Sequence, residues 1–476
     1  MLFARYDLRG VSEPPSRACQ PNFDRMRFTS LAAFLIVVGG ACAPSIGSPA
    51  PNPSSPARTA RINDPARLPR PTATAAVSPA PTDTPVKPAG QRQFRVVSFV
   101  DESRGWAAGS GADGKAFLIQ TKDGGRTWSA LPAPSAYVTA GDELRFVDAE
   151  HGWLRTNVLI STAGDCGRPP TAPPVCRTVI LHTSDGGYTW EEQLGVEHAG
   201  RLGPGLRALT VLDDHHAWAV RLGSVHSTPN PYSPCTPFDC AIGVMATTDG
   251  RTWAPVGDLP AFVDGMYFVD AQTGFATVHT EKNESGTPTN TASIVVTHDG
   301  GGTWSTQLQV DGSGPRLFVN FVDPRIGFAL ERELGTCGGS WCWLYGLHRT
   351  GDSGQTWIKV LPTPADISKA WWSPRGRFTT LGTPTFTSAI VGWIPITRES
   401  DATQDGLRSG VLVTSDGGRS WKRTPSASAD WGEVSDLAAH GSSAWIVSQS
   451  AGNQGSFLAR TRDRGQTWDY PPIGER

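Results

Sequence analysis

Seven carboxylates recur in one setting along this 476-residue chain. Asp123, Asp185, Asp249, Asp299, Asp352, Asp416 and Asp463 each follow a Thr by two residues and precede a Trp by four or five. Carboxylates beside hydroxyls are the raw material of cation sites and of acid–base catalysis. The same residues also describe a turn: the short Asp side chain accepts hydrogen bonds from backbone N–H groups, Gly supplies positive φ, and a Thr or Ser hydroxyl closes the loop. A site needs one or two copies, whereas these carboxylates come in seven. The seven Asp, with Trp128, Trp190, Trp253, Trp304, Trp357, Trp421 and Trp468, therefore read as structural. Asp213-Asp214-His215-His216 has the ligand types of a metal site, but it fills a turn that other repeats fill with DESR or DAEH. It reads as a solvated turn, and neither a metal nor any other cofactor is assigned.

Other side chains with chemistry stand outside this pattern. Cys166 with Cys176, Cys235 with Cys240, and Cys337 with Cys342 form three close pairs in loop-like sequence. Such pairs fit loop-stapling disulfides made outside the cytoplasm; zinc binding is the rival, against which stand the missing CxxC spacing and the missing His pair. Trp371-Trp372 stand beside Arg375 and Arg377, and Trp341 and Trp343 flank Cys342 as a second aromatic cluster; the competing reading for each is a loop packed onto the rim by its own aromatics. Such clusters suit sugar stacking, anion capture or a protein hot spot, and they are the binding candidates.

The elements that must position these residues follow from internal repetition. The octet T-x-D-x-G-x-[TS]-W occurs as TKDGGRTW, TSDGGYTW, THDGGGTW, TGDSGQTW, TSDGGRSW and TRDRGQTW, with a seventh copy, TTDGRTW, one residue shorter. Each is preceded by an apolar pair, a polar turn and a small residue before an aromatic, as in FVDESRGW, ending at Trp106, Trp153, Trp218, Phe275, Phe328, Trp393 and Trp445. Strict alternation of the two elements defines seven units, each parsed as strand A, tight turn, strand B, strand C into the octet, and strand D out of it. Seventeen Trp and 53 Gly against 4 Met fit many short strands joined by turns. The expectation is an all-β, seven-bladed β-propeller of four-stranded blades, with an Asp-box in each blade and little or no strand exchange at closure. Alternation further places A–B turns and octets on one face, and B–C and D–A connections, with their insertions, on the other.

The octet resembles the Asp-box, or BNR, repeat of sialidases, sortilin-type propellers and some xyloglucan-hydrolysing enzymes. Its pairing with a GW-type turn, over roughly residues 94 to 472, looks most like the photosystem II stability and assembly factor family. That resemblance implies a binding and assembly scaffold without a reaction of its own. A sialidase-like exo-glycosidase is the alternative, and it would imply three Arg around a carboxylate, a Tyr–Glu nucleophile and an Asp acid. The Arg-Ile-Pro signature of that family is missing from QRQFRVVSFVD; Tyr188 falls inside an octet, and Tyr267 and Tyr345 fall in predicted strands.

The N-terminus carries an address. LAAFLIVV, residues Leu31 to Val38, follows Arg25 and Arg27 and is too short to span a bilayer, which is the layout of a secretory signal. Gly39-Gly40-Ala41-Cys42 resembles the lipobox of bacterial lipoproteins, implying a lipid on Cys42. Gly39 stands where Leu or Val is usual, and Ala41-Cys42-Ala43 also reads as an A-x-A cleavage site, so lipid-anchored and freely secreted forms both stay open. Glu13, two prolines and Asp24 are poor material for a signal n-region, which makes Met26 a candidate start. Residues 1–42 are thus the signal region, 43–90 a Pro/Ser/Ala/Thr-rich tether, and 91–476 the propeller. A formal charge of -2 supplies no global field for nucleic acid. The expected partner is a protein or a glycan met outside the cytoplasm.

Overall fold

The computed structural model describes residues 92–470, apart from 112–114, 135–141, 160–175, 199–204, 225–239, 281–289, 338–339, 361–378, 400–409, 425–430 and 451–454. These residues form 28 β-strands and no helix. Consecutive strands pair antiparallel into seven sheets: 93–131, 143–198, 205–258, 262–312, 316–359, 379–424 and 431–469. The first strand of each sheet touches the first strand of the next, and Gln93–Phe99 touches both Glu143–Phe146 and Trp431–His440. This closed ring of innermost strands makes the molecule a seven-bladed β-propeller. Every blade is one contiguous stretch of chain.

Burial follows from that arrangement. Middle strands are packed on both faces by neighbouring blades, so Val411–Thr414 is buried at every residue, whereas the outer strand Ala254–Asp258 is largely exposed. Two blades depart from the common pattern. The first strand of blade 6 is split into Thr379–Leu381 and Thr385–Phe386, both paired with Gly392–Glu399. The fourth strand of blade 7 shrinks to a bridge between Arg460 and Asp469, directly before the prolines at 471 and 472, which lack the N–H a ladder requires.

One aromatic relay joins most blades. Phe146 stacks on Trp106, Phe268 on Trp218, Phe321 on Phe275, Phe386 on Phe328 and Phe99 on Trp445, with centroids 3.5–4.1 Å apart. Each of these Phe rings also meets the octet Trp of its own blade edge-on at 6.0–6.2 Å. Such pairs add about 0.5–1.5 kcal/mol each beyond the area they bury. The relay explains the small residue of the small–aromatic pair. A Cβ on Gly105, Gly152, Gly274, Gly327 or Gly392 would lie 2.5–2.6 Å from the Phe ring of its own blade. Blades 3 and 7 have Val211 and Ala439 in place of that Phe and carry Ala217 and Ala444 in place of the Gly. Consequently Trp153 and Trp393, which face those blades, have no Phe to stack on.

Candidate binding face

The octets are turns that use their own polar groups. In blade 1, Thr121 Oγ1 donates to Asp123 Oδ1 (2.9 Å) and accepts from Gly125 N (2.8 Å), while Thr127 donates its N–H to Oδ1 (2.9 Å) and its hydroxyl to Oδ2 (2.8 Å). The same Asp-centred set recurs around Asp185, Asp249, Asp299, Asp352, Asp416 and Asp463. Although burial opposes it, the bonds from Thr127 and Thr121 hold the Asp123 carboxyl at about 2; bonds from Thr303 and Thr297 do the same for Asp299. Both oxygens of each carboxylate are thereby aimed into the turn.

The residue after each octet Asp donates its N–H to the A–B turn of the same blade, as in Gly124 to Ser103 O (2.6 Å) and Gly186 to Glu150 O (2.8 Å), so turns and octets share one face. On that face Asp213 Oδ1 accepts from His215 N (2.9 Å) and His216 N (2.7 Å), the bonding that Asp101, Asp148, Asp270 and Asp323 make in their own A–B turns. Ligand atoms of Asp213, Asp214 and His215 lie within 4.8 Å of one another, but His215 Nδ1 is engaged by Asp214 at 2.6 Å.

The opposite end of the blades is chemically different. Strand register pairs Glu143 with Arg155, Phe262 with His279, and Arg316 with Arg332, all at the end away from the A–B turns. There Arg155 Nε lies 2.7 Å from Glu143, Thr156 donates to Asp142 (2.8 Å), and Asp264 receives both His279 Nδ1 (2.9 Å) and Arg316 Nε (3.4 Å). Arg332 is the exception to this pairing. Its guanidinium lies over Trp343 at 4.5 Å and Phe318 at 5.5 Å, and no protein acceptor reaches its buried Nε. Among the described residues no carboxylate is within ion-pair distance of it. Burial, with the charge of Arg316 beyond it, lowers its pKa.

Trp343 therefore belongs to a cation–aromatic cluster on the face of blade 5 toward blade 6. Trp341 precedes it by two residues and shares its register face; its side chain lies outside the described residues. The hairpin carrying both, Gly327–Cys337 with Ser340–Thr350, has 11 residues per strand against 7 in Gly274–Thr280, a difference of about 13 Å in reach. Cys342 on this hairpin is buried and disulfide-bonded. Cys176, Cys240 and Cys337 are strand-terminal residues whose side chains lie outside the described set, as do Cys42, Cys166, Cys235, Trp371, Trp372, Arg375 and Arg377 altogether. Arg332, Phe318, Arg316 and Asp264 carry no motif, so only their register assembles them.

Two tyrosines bond across blade boundaries. Tyr267 donates its hydroxyl to Phe321 O (2.9 Å), and Tyr345 accepts from Leu381 N (3.0 Å) with its phenol pushed up to about 12 by burial. Tyr188 is exposed in its octet turn.

No protein-family model and no curated protein matches the chain. Solved structures to which the chain is similar include three propeller-length matches. One is YCF48 bound to a D1 peptide, at 14% identity over 78% of this chain and 93% of that one (TM-score 0.43). Another is an α-L-arabinofuranosidase from Fusarium graminearum with an iminosugar inhibitor, at 10% identity over 78% and 92% (TM-score 0.40). A Hadza microbial sialidase matches at 13% identity over 73% and 71% (TM-score 0.39).

Proposed function

We propose that the protein is a non-catalytic, extracytoplasmic binding and assembly scaffold that recognises its protein or glycan partner on the face bearing the B–C and D–A connections. The observation that carries this reading is the contrast between the two faces. On the octet face the seven carboxylates are consumed by their turns, while on the other Arg332 is held on Trp343 and Phe318 with no carboxylate of the described residues at ion-pair distance, on the long blade-5 hairpin. A half-desolvated cation fixed by aromatic faces is already ordered for an incoming acceptor, and aromatic–Arg clusters are where interface energy concentrates.

The rest of the reading extends from the sequence. A signal segment, a lipid on Cys42, a stiff tether at 43–90 and disulfides pairing Cys166–Cys176, Cys235–Cys240 and Cys337–Cys342 would hold the propeller off the outer face of the cell membrane, or release it as a secreted protein if cleavage follows Ala43. The sialidase-like alternative requires a tyrosine paired with a carboxylate; the bonds seen for Tyr267 and Tyr345 are to backbone across blade boundaries.

Affinity capture from native membranes, with glycan binding assayed in parallel, tests the scaffold. Arg332→Ala combined with Trp343→Ala, and separately the joint replacement of Trp371, Trp372, Arg375 and Arg377, is expected to lose the captured partner. An unchanged partner list in both variants sinks the proposed face. Turnover of a fluorogenic sialoside or glucan by the purified protein establishes the glycosidase instead.

A further inference from the structure

Blade 7 meets blade 1 without a full fourth strand. Each of the other six blades pairs a strand onto the outer edge of its third, whereas Ser456–Thr461 has a single bridge there, in which Arg460 and Asp469 exchange backbone bonds of 3.0 Å. A strand edge left so nearly unpaired is ordinarily open to water or to another strand. Yet Phe457, Leu458, Ala459 and Thr461 are all buried.

Three consecutive side chains stand where the strand would be, and they alternate in direction as strand residues do. Trp468 and Tyr470 pack on the apolar cluster between blades 6 and 7. Trp468 donates Nε1–H to Thr424 Oγ1 on the outer strand of blade 6 (3.2 Å). Tyr470 accepts from Trp431 Nε1 on the innermost strand of its own blade (2.8 Å) and sets its ring edge-on to Phe457 at 5.4 Å. Asp469, between them, takes Arg460 with both carboxylate oxygens, at 2.6 Å from Nε and 2.7 Å from Nη2. That fork fixes the guanidinium plane and leaves Nη1 aimed at blade 1. Nη1 donates to Gly124 O at 3.0 Å, beside Trp445 Nε1 at the same distance, and Arg462 donates to the neighbouring Asp123 O (3.1 Å).

The inner part of this boundary is tied separately. Val97 N donates to Asp436 Oδ2 (2.9 Å), His440 Nε2 donates to Phe99 O (2.7 Å), and Ser456 donates its hydroxyl to Phe94 O (3.1 Å). None of these bonds involves residues 468–470.

We propose that Trp468-Asp469-Tyr470 is a releasable latch on the outer half of the ring's closure, seating blade 7 between blades 6 and 1, with Arg460 as its bolt. Its release frees the outer edge of Ser456–Thr461 and loosens the octet of blade 1. The innermost strands stay joined, because their ties do not pass through it. Asp469 is the accessible member, its side chain 54% exposed against 10% for Arg460, so the latch is gripped from the solvent side.

Hydrogen exchange at neutral pH on the full chain and its variants tests this. A chain stopped after Trp468 should exchange faster in 456–461 and 121–127, while 93–99 and 434–440 keep their protection and blades 3 and 4 (217–224, 262–268) are unchanged. A chain stopped after Tyr470 should match the full one. Asp469→Ala keeps the backbone bridge and removes only the grip on Arg460; exchange in 121–127 should rise about fivefold, the worth of a half-exposed bidentate pair. Unchanged exchange in 121–127 in both Asp469→Ala and the chain stopped after Trp468, or a gain spread evenly over the seven blades, overturns the proposal. So does failure of the chain stopped after Trp468 to fold, because a latch leaves the inner ring closed when it is removed.

Discussion

Replacing Trp153 by Phe should cost much less than replacing Trp106 by Phe, although both indoles are completely buried at the same position of adjacent blades. The exchange removes the same volume at each site, worth about 1–2 kcal/mol in lost packing. At Trp106 it also deletes a 2.9 Å bond and strands the carbonyl of Gly186, worth about 1–3 kcal/mol more, and it weakens the stack on Phe146. At Trp153 it removes a buried N–H that has no acceptor, which returns part of the packing loss. The gap between the two variants is about 2 kcal/mol. A propeller of this size carries roughly 0.8 kcal/mol/K of unfolding entropy, at about 2.1 cal/mol/K per residue, so Trp106→Phe should melt about 2.5 °C below Trp153→Phe. Differential scanning calorimetry at neutral pH measures it. Equal melting temperatures, or a larger loss for Trp153→Phe, would show that the missing hydrogen bond is not what distinguishes the two boundaries.

The Phe–Gly correlation predicts coupling: Gly327→Ala should destabilise by about 2 kcal/mol because its Cβ runs into the Phe321 ring, and the double variant with Phe321→Val, which copies blade 3, should recover about 1 kcal/mol of the sum of the single losses in a double-mutant cycle. Gly124→Ala, with φ +70° and a Cβ directed at Glu102 O, should lose about 2 kcal/mol or more in urea denaturation, and a loss below about 0.5 kcal/mol would contradict the turn geometry. Acid should act through the octets. Their carboxyls are depressed when folded, so the stability they confer is present above about pH 4 and drains away as pH falls from the ordinary 3.8 toward the value of about 2 at Asp123 and Asp299. Glu331, lowered against its burial by His348 and Lys359, contributes with the same sign. Melting temperature followed from pH 6 to pH 2 should fall in that window, less steeply in Asp416→Asn, and a flat profile would refute the assignment.

The repeat architecture was legible in the chain because each of its signals is local. An octet closes hydrogen bonds within about four residues of its Asp, so Thr121, Asp123 and Thr127 announce their turn wherever the rest of the blade goes. Seven octets alternating with seven small–aromatic pairs then leave a radial four-stranded repeat as the economical reading. The sharing of one face by turns and octets also followed from strand alternation alone. What the chain could not disclose are relations between residues far apart in it: that Phe146 stacks on Trp106, that Gly152 is small because Phe146 lies over it, and that Gln193 of blade 2 reaches the carbonyl of Gly250 in blade 3. Arg332 looks like an ordinary strand residue until register places it over Trp343 and Phe318. Local turn chemistry is written in consecutive residues, whereas the fit between blades depends on which side chains the closed ring brings face to face, and only the tertiary structure decides that.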